Sequence, residues 1–485
     1  MNQPTLQVAV VGAGLGGLCA AISLASRGAN VDLFEAAPVA GGKAGTVCID
    51  GVHVDTGPSL LTLPEAFDAA LAPAGVTLAD LVTLVRPDPA FCYRWPDGVE
   101  LPVFIEAERT LQSVRRVLGD SARAQLADFL AYAARAWEIG APRFIFAPGV
   151  DLTELFSPRA LAGLAALDPF RTMEAAITNR VREPHLRDLL RRYATYNGSH
   201  PGRAPATLNC IAHVELALGG FGVQGGIHVL IDALVALARQ RGVTFHLGTP
   251  VTRLRTAGRR IVGLEVEGAT HDADAVICNA DVGHLTATLL PGGASGLPAT
   301  VEPSLSGWTG IFRASGTVTA AHTVLFPANY PEEFTDLFER RRPPADPTVY
   351  ASAPAVAHGG DRWSDAQPLF TMINAPAGWN GTCDELAALA RARLMAAGMI
   401  AEADPLPWTR TPRELAARFP GSQGAIYGSS SNGMFAAFKR PPNRLSGVPG
   451  LYLASGSAHP GGGMPLCALS GKNAADACLA DAGRR

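Results

Sequence analysis

Apolar positions recur along this chain with two periods, and between them they predict an alternating set of strands and helices. Val8-Ala9-Val10-Val11 is a short unbroken apolar run, the pattern of a strand buried on both faces. A glycine-rich turn follows, Gly12-Ala13-Gly14-Leu15-Gly16-Gly17, and then an Ala-rich helix over Cys19 to Arg27. Val31 to Glu35 reads as a second strand with an acid at its end. Leu60 to Pro89 is helical and loop-like. Phe91 to Phe104 alternates around Pro96-Asp97-Gly98, which predicts a hairpin. Glu108 to Trp137 is mainly helical. A strong helix, Ile227 to Arg241, follows the glycine-rich stretch Gly219 to Gly226. Val243–Leu247, Val251–Arg255 and Ile261–Val266 read as strands and Ala273–Asp281 as a further strand and turn, together completing the first sheet. Residues 304–420 mix β-rich and Pro-rich segments with one Ala-rich helix, Asp384 to Ala397. The chain closes with a strand into a glycine turn, Gly450 to Gly456, and a helix from Leu466 to Ala480.

The first strand, turn, helix and second strand carry chemistry. Gly12 permits a tight turn, Gly14 lets the backbone approach a pyrophosphate, and Gly17 lets helix and strand pack closely. Phosphates then meet unpaired N–H groups at a helix N-terminus, where the helix dipole favours negative charge. Glu35 stands where it can accept both ribose hydroxyls. These features together predict dinucleotide binding.

Composition narrows the field. The chain has 485 residues, 48% of them hydrophobic, enough for two or three domains and a large core. A net charge of −3 argues against a nucleic-acid partner. No apolar run reaches the roughly 18 residues a membrane-spanning helix needs. The first strand starts near Gln7, which leaves no room for a signal peptide and predicts a cytoplasmic protein. The eight cysteines form no C-x-x-C pair and no metal-ligand spacing, so no metal site is expected. Phe144, Ile145, Phe146, Leu152, Leu155, Phe156, Leu161 and Leu164 crowd the segment 142–169. They predict either the core of a helical subdomain or a surface dipping into a bilayer.

Further glycine turns point beyond a nicotinamide cofactor. Gly41-Gly42-Lys43, Asp55-Thr56-Gly57-Pro58-Ser59 and the turns around Gly456 and Pro465 offer backbone contacts from both ends of the chain. An extended FAD is held in this way, whereas NAD must come and go. With Ser457-Ala458-His459-Pro460-Gly461-Gly462-Gly463-Met464-Pro465, these motifs resemble the bacterial carotenoid desaturases of the flavin amine oxidase superfamily. The resemblance runs nearly end to end. Arg192-Tyr193-Ala194-Thr195-Tyr196 and Gln224-Gly225-Gly226-Ile227-His228 are most similar to the hydroxycarotenoid 3,4-desaturase branch. Thr56 stands where the family usually has Ala.

The resemblance implies an α/β fold: a Rossmann-type FAD-binding domain (1–70, 220–285 and 430–485) interleaved with a mixed β-sheet plus helical substrate domain (71–219 and 286–429). It implies pyrophosphate contacts at Gly12, Gly14 and Gly17 and a ribose ligand at Glu35. Gly42, Lys43, Gly57, Pro58 and Ser59 would run along the ribityl chain and ring, and Val251 would meet adenine through its backbone. Gly456, Met464 and Pro465 would close over the flavin, with His459 as the candidate catalytic side chain. The implied reaction passes a hydride to flavin N5 and forms a C=C bond in an acyclic carotenoid. Positive charge spreads along the polyene, so a strong base or a metal is not obligatory.

The implied partners are a membrane surface, approached peripherally at the inner membrane, and oxygen or a quinone as electron acceptor. Arg180, Arg182, Arg187, Arg191 and Arg192 form a candidate docking face for anionic lipid. The alternatives are a phytoene desaturase, a flavin amine oxidase and a non-enzymatic prenyl-lipid-binding protein.

Overall fold

The computed structural model describes residues 5–149, 167–292, 301–316, 318–434 and 440–483, together with Leu297 and Ala436. Of the apolar segment 142–169, Leu152, Leu155, Phe156, Leu161 and Leu164 lie outside the described residues.

Strand β1 (Gln7–Val11), helix α1 (Leu15–Ala25) and strand β2 (Asn30–Glu35) form as the pattern predicts. β1 is central in a five-stranded parallel sheet. Ala275–Cys278 and then Leu451–Leu453 lie on one side of it, β2 and Thr244–Leu247 on the other. Alternate side chains of β1 serve two cores. Val8 and Val10 pack under α1, the helix Ile227–Gln240 and the C-terminal helix Met464–Ala482. Ala9 and Val11 face the opposite side, against Leu254, Ile261 and Leu264.

That second contact corrects one expectation. Only Thr244–Leu247 and Ala275–Cys278 join the parallel sheet. Val251–Ala257, Arg260–Val266 and Ala269–Asp272 form their own antiparallel sheet, laid over the second face. Their alternation explains it: Leu254 is buried while Arg253 is exposed, a pattern that suits a sheet with one wet face.

The second large sheet has seven strands, in the order Trp408–Arg410, Ser306–Ala314, Gln367–Ala375, Val349–Ser352, His322–Leu325, Phe91–Arg94, Glu100–Val103. Its neighbours are antiparallel except for the parallel pair of His322–Leu325 with Phe91–Arg94, so the sheet is mixed. The predicted hairpin is its far edge. Helices Ala107–Leu118, Asp120–Gly140 and Pro184–Arg192 share a core with that edge through Tyr93, Leu101, Phe129 and Leu189. The helix Cys383–Ala396 packs elsewhere on the sheet, against Trp308, Phe312 and Leu369.

The arginines of 180–192 do not form a free basic face. Arg180 pairs with Asp128, and Arg191 with Glu174 and Asp188. Arg187 donates to the Val181 carbonyl, and Arg192 is buried. Only Arg182 is exposed. Arg180 and Arg191 thus lie against acids, Asp128 and Glu174 from other helices and Asp188 from the same one. No helix among the described residues is long and apolar enough to cross a membrane, and no group of His, Cys, Asp and Glu among them could hold a metal ion.

Candidate functional site

One cavity of about 1640 Å³ lies where the carboxyl ends of the parallel strands face the mixed sheet. Crevices at such strand ends are where open α/β sheets bind ligands. The volume exceeds the roughly 300–1,000 Å³ of a single-ligand pocket, so there is room for a large cofactor and a second molecule. Two helix N-termini open onto it: α1 through Gly14, Leu15 and Gly16, and the C-terminal helix through Gly463, Met464 and Pro465. Both present unpaired N–H groups and the positive end of a dipole.

The first turn is tight for three separate reasons. Gly12 sits at φ +101°, a backbone conformation that side chains rarely adopt. A β-carbon on Gly17 would fall 2.1 Å from the Gly12 carbonyl oxygen, so this glycine sets the approach of α1 to the turn. Gly14 has a second neighbour that its spacing did not show. A β-carbon there would meet Asn279 Oδ1 at 2.6 Å, and its N–H donates to that oxygen at 3.0 Å. Asn279, at the end of Ala275–Cys278, also donates from Nδ2 to the Ala454 carbonyl. It thereby joins the first turn to the last strand of the sheet. The sequence showed Asn279 only as a turn residue. Nothing local reveals that its neighbours lie at both ends of the chain.

Glu35 takes two backbone N–H groups before any ligand arrives: Ala13 at 2.7 Å and Ala37 at 2.9 Å. Each carboxylate oxygen accepts one of them and retains capacity for a ribose hydroxyl. Gly42 packs over the same turn, where a β-carbon would lie 3.2 Å from Gly14 Cα. Lys43 is not a surface charge. Its ammonium donates to the Ala425 and Ile426 carbonyls at 2.8 and 2.9 Å, and burial pulls its pKa below the usual lysine value. A β-carbon on Gly57 would fall 2.0 Å from the Lys43 carbonyl, so the Gly57-Pro58-Ser59 turn and the Gly42-Lys43 turn lie against each other. Asp55 holds this arrangement from behind. It accepts the N–H of Ile227 at 2.6 Å and of His228 at 3.0 Å, capping the helix Ile227–Gln240.

Val251 lies on the cavity wall at the start of its strand, beside Pro250 and Thr252. Gly456 lies under the last turn, where a β-carbon would be 3.3 Å from Cys467 Sγ. Arg440, which the sequence reading passed over, reaches the same turn. It donates to the carbonyls of Gly456 at 3.2 Å and Ser429 at 3.1 Å, and burial pulls its pKa down to about 10. His459 also lines the cavity at 7% exposure. Its Nε2–H donates to the Ala147 carbonyl at 3.1 Å, and burial holds its pKa below the usual value, so the ring is neutral. Gly12, Gly14, Glu35, Gly42, Lys43, Gly57, Pro58, Ser59, Val251, Gly456, Met464 and Pro465 therefore all reach one cavity. Gly17 is the exception and acts behind the turn.

A dinucleotide cofactor fits this wall. Its glycines crowd their neighbours where β-carbons would stand, Glu35 lines it at the end of β2, and two helix dipoles face inward.

The model of the flavin containing amine oxidoreductases matches residues 15–479. The chain belongs to that family. As a member it is an FAD-dependent oxidoreductase. The hydroxyneurosporene desaturase of Rhodobacter capsulatus is 36% identical over 98% of each chain. The 1-hydroxycarotenoid 3,4-desaturase of Flavobacterium sp. is 30% identical over 96% of this chain and 98% of its own. These relatives bear out the resemblance read from the motifs. Among solved structures, cyclohexylamine oxidase of Brevibacterium oxydans aligns over 99% of this chain and 100% of its own. Its TM-score is 0.63 at 15% identity, which is agreement in fold.

Proposed function

We propose that this oxidoreductase introduces a C=C bond into an acyclic carotenoid, and specifically that it desaturates the 3,4 bond of a 1-hydroxycarotenoid. The supporting observation is the mixed lining of the cavity. Glycine turns and helix N-termini line it together with apolar side chains, among them Trp137, Phe144, Ile145, Leu208, Ile211 and Phe370. A linear isoprenoid requires such an apolar lining, and the relatives named above act on related molecules.

FAD, when bound, supplies a hydride acceptor at N5. The chain's own residues do the rest. Gly12 to Leu15 and Glu35 would hold the diphosphate and ribose. Lys43, pinned by two carbonyls, and the Gly57-Pro58-Ser59 turn would fix the ring end. Met464 and Pro465, at a helix N-terminus, would place a positive dipole where the ring gains charge. The apolar side chains of the cavity would exclude water and position the reacting carbons for the cofactor.

The membrane enters through the substrate. A carotenoid already sits in hydrocarbon, so the gain of roughly 25 cal/mol per Å² for leaving water does not apply. The protein must meet it at the bilayer. Three large apolar side chains on the cavity wall are exposed: Phe170 at 76%, Val39 at 60% and Met434 at 40%. We propose that this rim touches the cytoplasmic face of the inner membrane peripherally, and that oxygen or a quinone reoxidises the cofactor there.

Expression in cells that make different acyclic carotenoids tests the reaction, because each added conjugated double bond shifts the product spectrum to the red. Conversion of 1-hydroxylated substrates is expected. Conversion of colourless phytoene alone would make it a phytoene desaturase. Turnover of amines without any carotenoid product would remove the proposal.

A further inference from the structure

Part of the cavity wall is built from charge. Arg192, the last residue of the helix Pro184–Arg192, is 7% exposed and lines the cavity. Its guanidinium carbon lies 5.0 Å from the ring centre of Tyr196, 5.3 Å from Phe91, 5.5 Å from Tyr93 and 6.0 Å from Tyr350. Its Nη1 donates to Tyr93 Oη at 3.0 Å and lies 3.7 Å from Glu215 Oε1. Glu215, 3% exposed, is engaged by three phenols: Tyr193 donates at 3.0 Å, Tyr93 at 3.3 Å, and Tyr196 also donates. The guanidinium is not matched in this way. Beyond the bond to Tyr93, its N–H groups find no hydrogen-bond acceptor among the described residues.

A buried guanidinium with idle donors is costly to seal behind hydrocarbon. A substrate whose end is pure hydrocarbon would do that. A substrate carrying an oxygen would accept the donors instead. We propose that Arg192 reads a hydroxyl on the substrate's inserted end, donating to the hydroxyl oxygen, and so selects hydroxylated acyclic carotenoids over hydrocarbon ones. Glu215 and the tyrosines position Arg192 and balance its charge.

The placement agrees with the regiochemistry proposed above, on which this inference rests. A hydroxyl on C1 is four bonds from C4, roughly 5 Å at ordinary bond lengths. The hydroxyl site must therefore lie beside the reacting bond, close to the cofactor ring. Tyr350, one of the rings around Arg192, hydrogen-bonds Ser59 Oγ at 2.5 Å, and Ser59 belongs to the turn assigned to the ring end. One side chain thus separates Arg192 from that turn.

The test uses the purified flavin-loaded enzyme with an acyclic carotenoid and its 1-hydroxy derivative, both supplied in vesicles. The double variant Arg192→Met with Glu215→Gln removes the donor without stranding a buried carboxylate. The ratio of kcat/KM, hydroxylated over hydrocarbon, is expected to fall about 10- to 100-fold, as for loss of a charged hydrogen bond. A ratio equal to wild type, with both substrates weakened alike, would show that the cluster only supports the fold and would overturn the inference. A second measurement needs no variant. A short branched tertiary alcohol and the matching hydrocarbon are compared as competitive inhibitors of the wild type. The alcohol is expected to bind about tenfold tighter, and equal inhibition overturns the role of Arg192. Preference of the wild type for the hydrocarbon carotenoid over the hydroxylated one, alongside tighter binding of the short alcohol, would refute the substrate reading while leaving the donor site in place.

Discussion

Replacing Asn279 by Ala cuts the link between the first turn and the last strand of the parallel sheet. Two hydrogen bonds go: Gly14 N–H to Oδ1 at 3.0 Å, and Nδ2–H to the Ala454 carbonyl. Ala454 is fully buried, so its carbonyl suffers most of the roughly 1–3 kcal/mol that an unpaired buried group costs. Gly14 borders the cavity, where water can cover its N–H in part, so about 1 kcal/mol is a fair share there. The sum, about 3 kcal/mol, falls on the turn proposed to hold the diphosphate. FAD affinity should weaken about 10- to 100-fold, read by titration of the apoprotein through flavin fluorescence quenching. A double-mutant cycle sharpens the test. Gly14→Ala drives a β-carbon to 2.6 Å from Asn279 Oδ1, a clash that Asn279→Ala removes. The two changes together should therefore cost at least about 1 kcal/mol less than their sum. Strict additivity, with FAD affinity of Asn279→Ala within about threefold of wild type, would refute the linkage reasoning.

Other measurements probe separate parts of the structure. His459→Ala should keep its FAD and lose more than about tenfold in turnover. A smaller loss would make His459 only a support for the loop at Ala147. His322 is fully buried, and burial holds its pKa well below the usual value, with His358 and Arg192 adding repulsion. The unfolded chain takes up that proton near pH 6.5 while the folded one does not. Stability should therefore fall as pH drops below about 6.5, by at most about 1.4 kcal/mol per unit from this group. His322→Gln should flatten that slope in urea unfolding, and an unchanged slope would rule this source out. Vesicle co-sedimentation should be nearly equal for neutral and acidic lipids, because the arginines of 180–192 are mostly spent on internal partners. It should drop about tenfold or more for Phe170→Ser, which removes an exposed apolar side chain worth roughly 1.5–3 kcal/mol when buried. A strong preference for acidic lipid would restore the electrostatic docking face.

Local patterns in the chain were enough to specify much of this protein. The strand, glycine turn, helix and acid of residues 8–35 need only near neighbours to form, and their periodicity and glycine spacing were legible directly. The hairpin at 91–104, the helix after Gly226 and the C-terminal helix are local in the same sense. The convergence of Gly12, Glu35, Gly42, Gly57 and Pro465 on one cavity is not local; it was expected only because each belongs to a turn whose chemistry suits one extended ligand.

Tertiary structure decided whatever depends on partners far apart in sequence. The two strands read at 251–255 and 261–266 were assigned to the wrong sheet, because a strand's own residues show which faces are buried and not which neighbour buries them. The arginines of 180–192 read as a surface until Asp128, Glu174 and Asp188 came into reach. Asn279 was a turn residue until the fold set Gly14 and Ala454 on either side of it. Arg192 and Glu215 are 23 positions apart and meet Tyr93 and Tyr350 from two other strands. Only long-range packing gathers these four residues into one charged cluster on the cavity wall. A sequence records the charges it carries, but only the folded chain settles which of them are neutralised and which keep a donor free for something else.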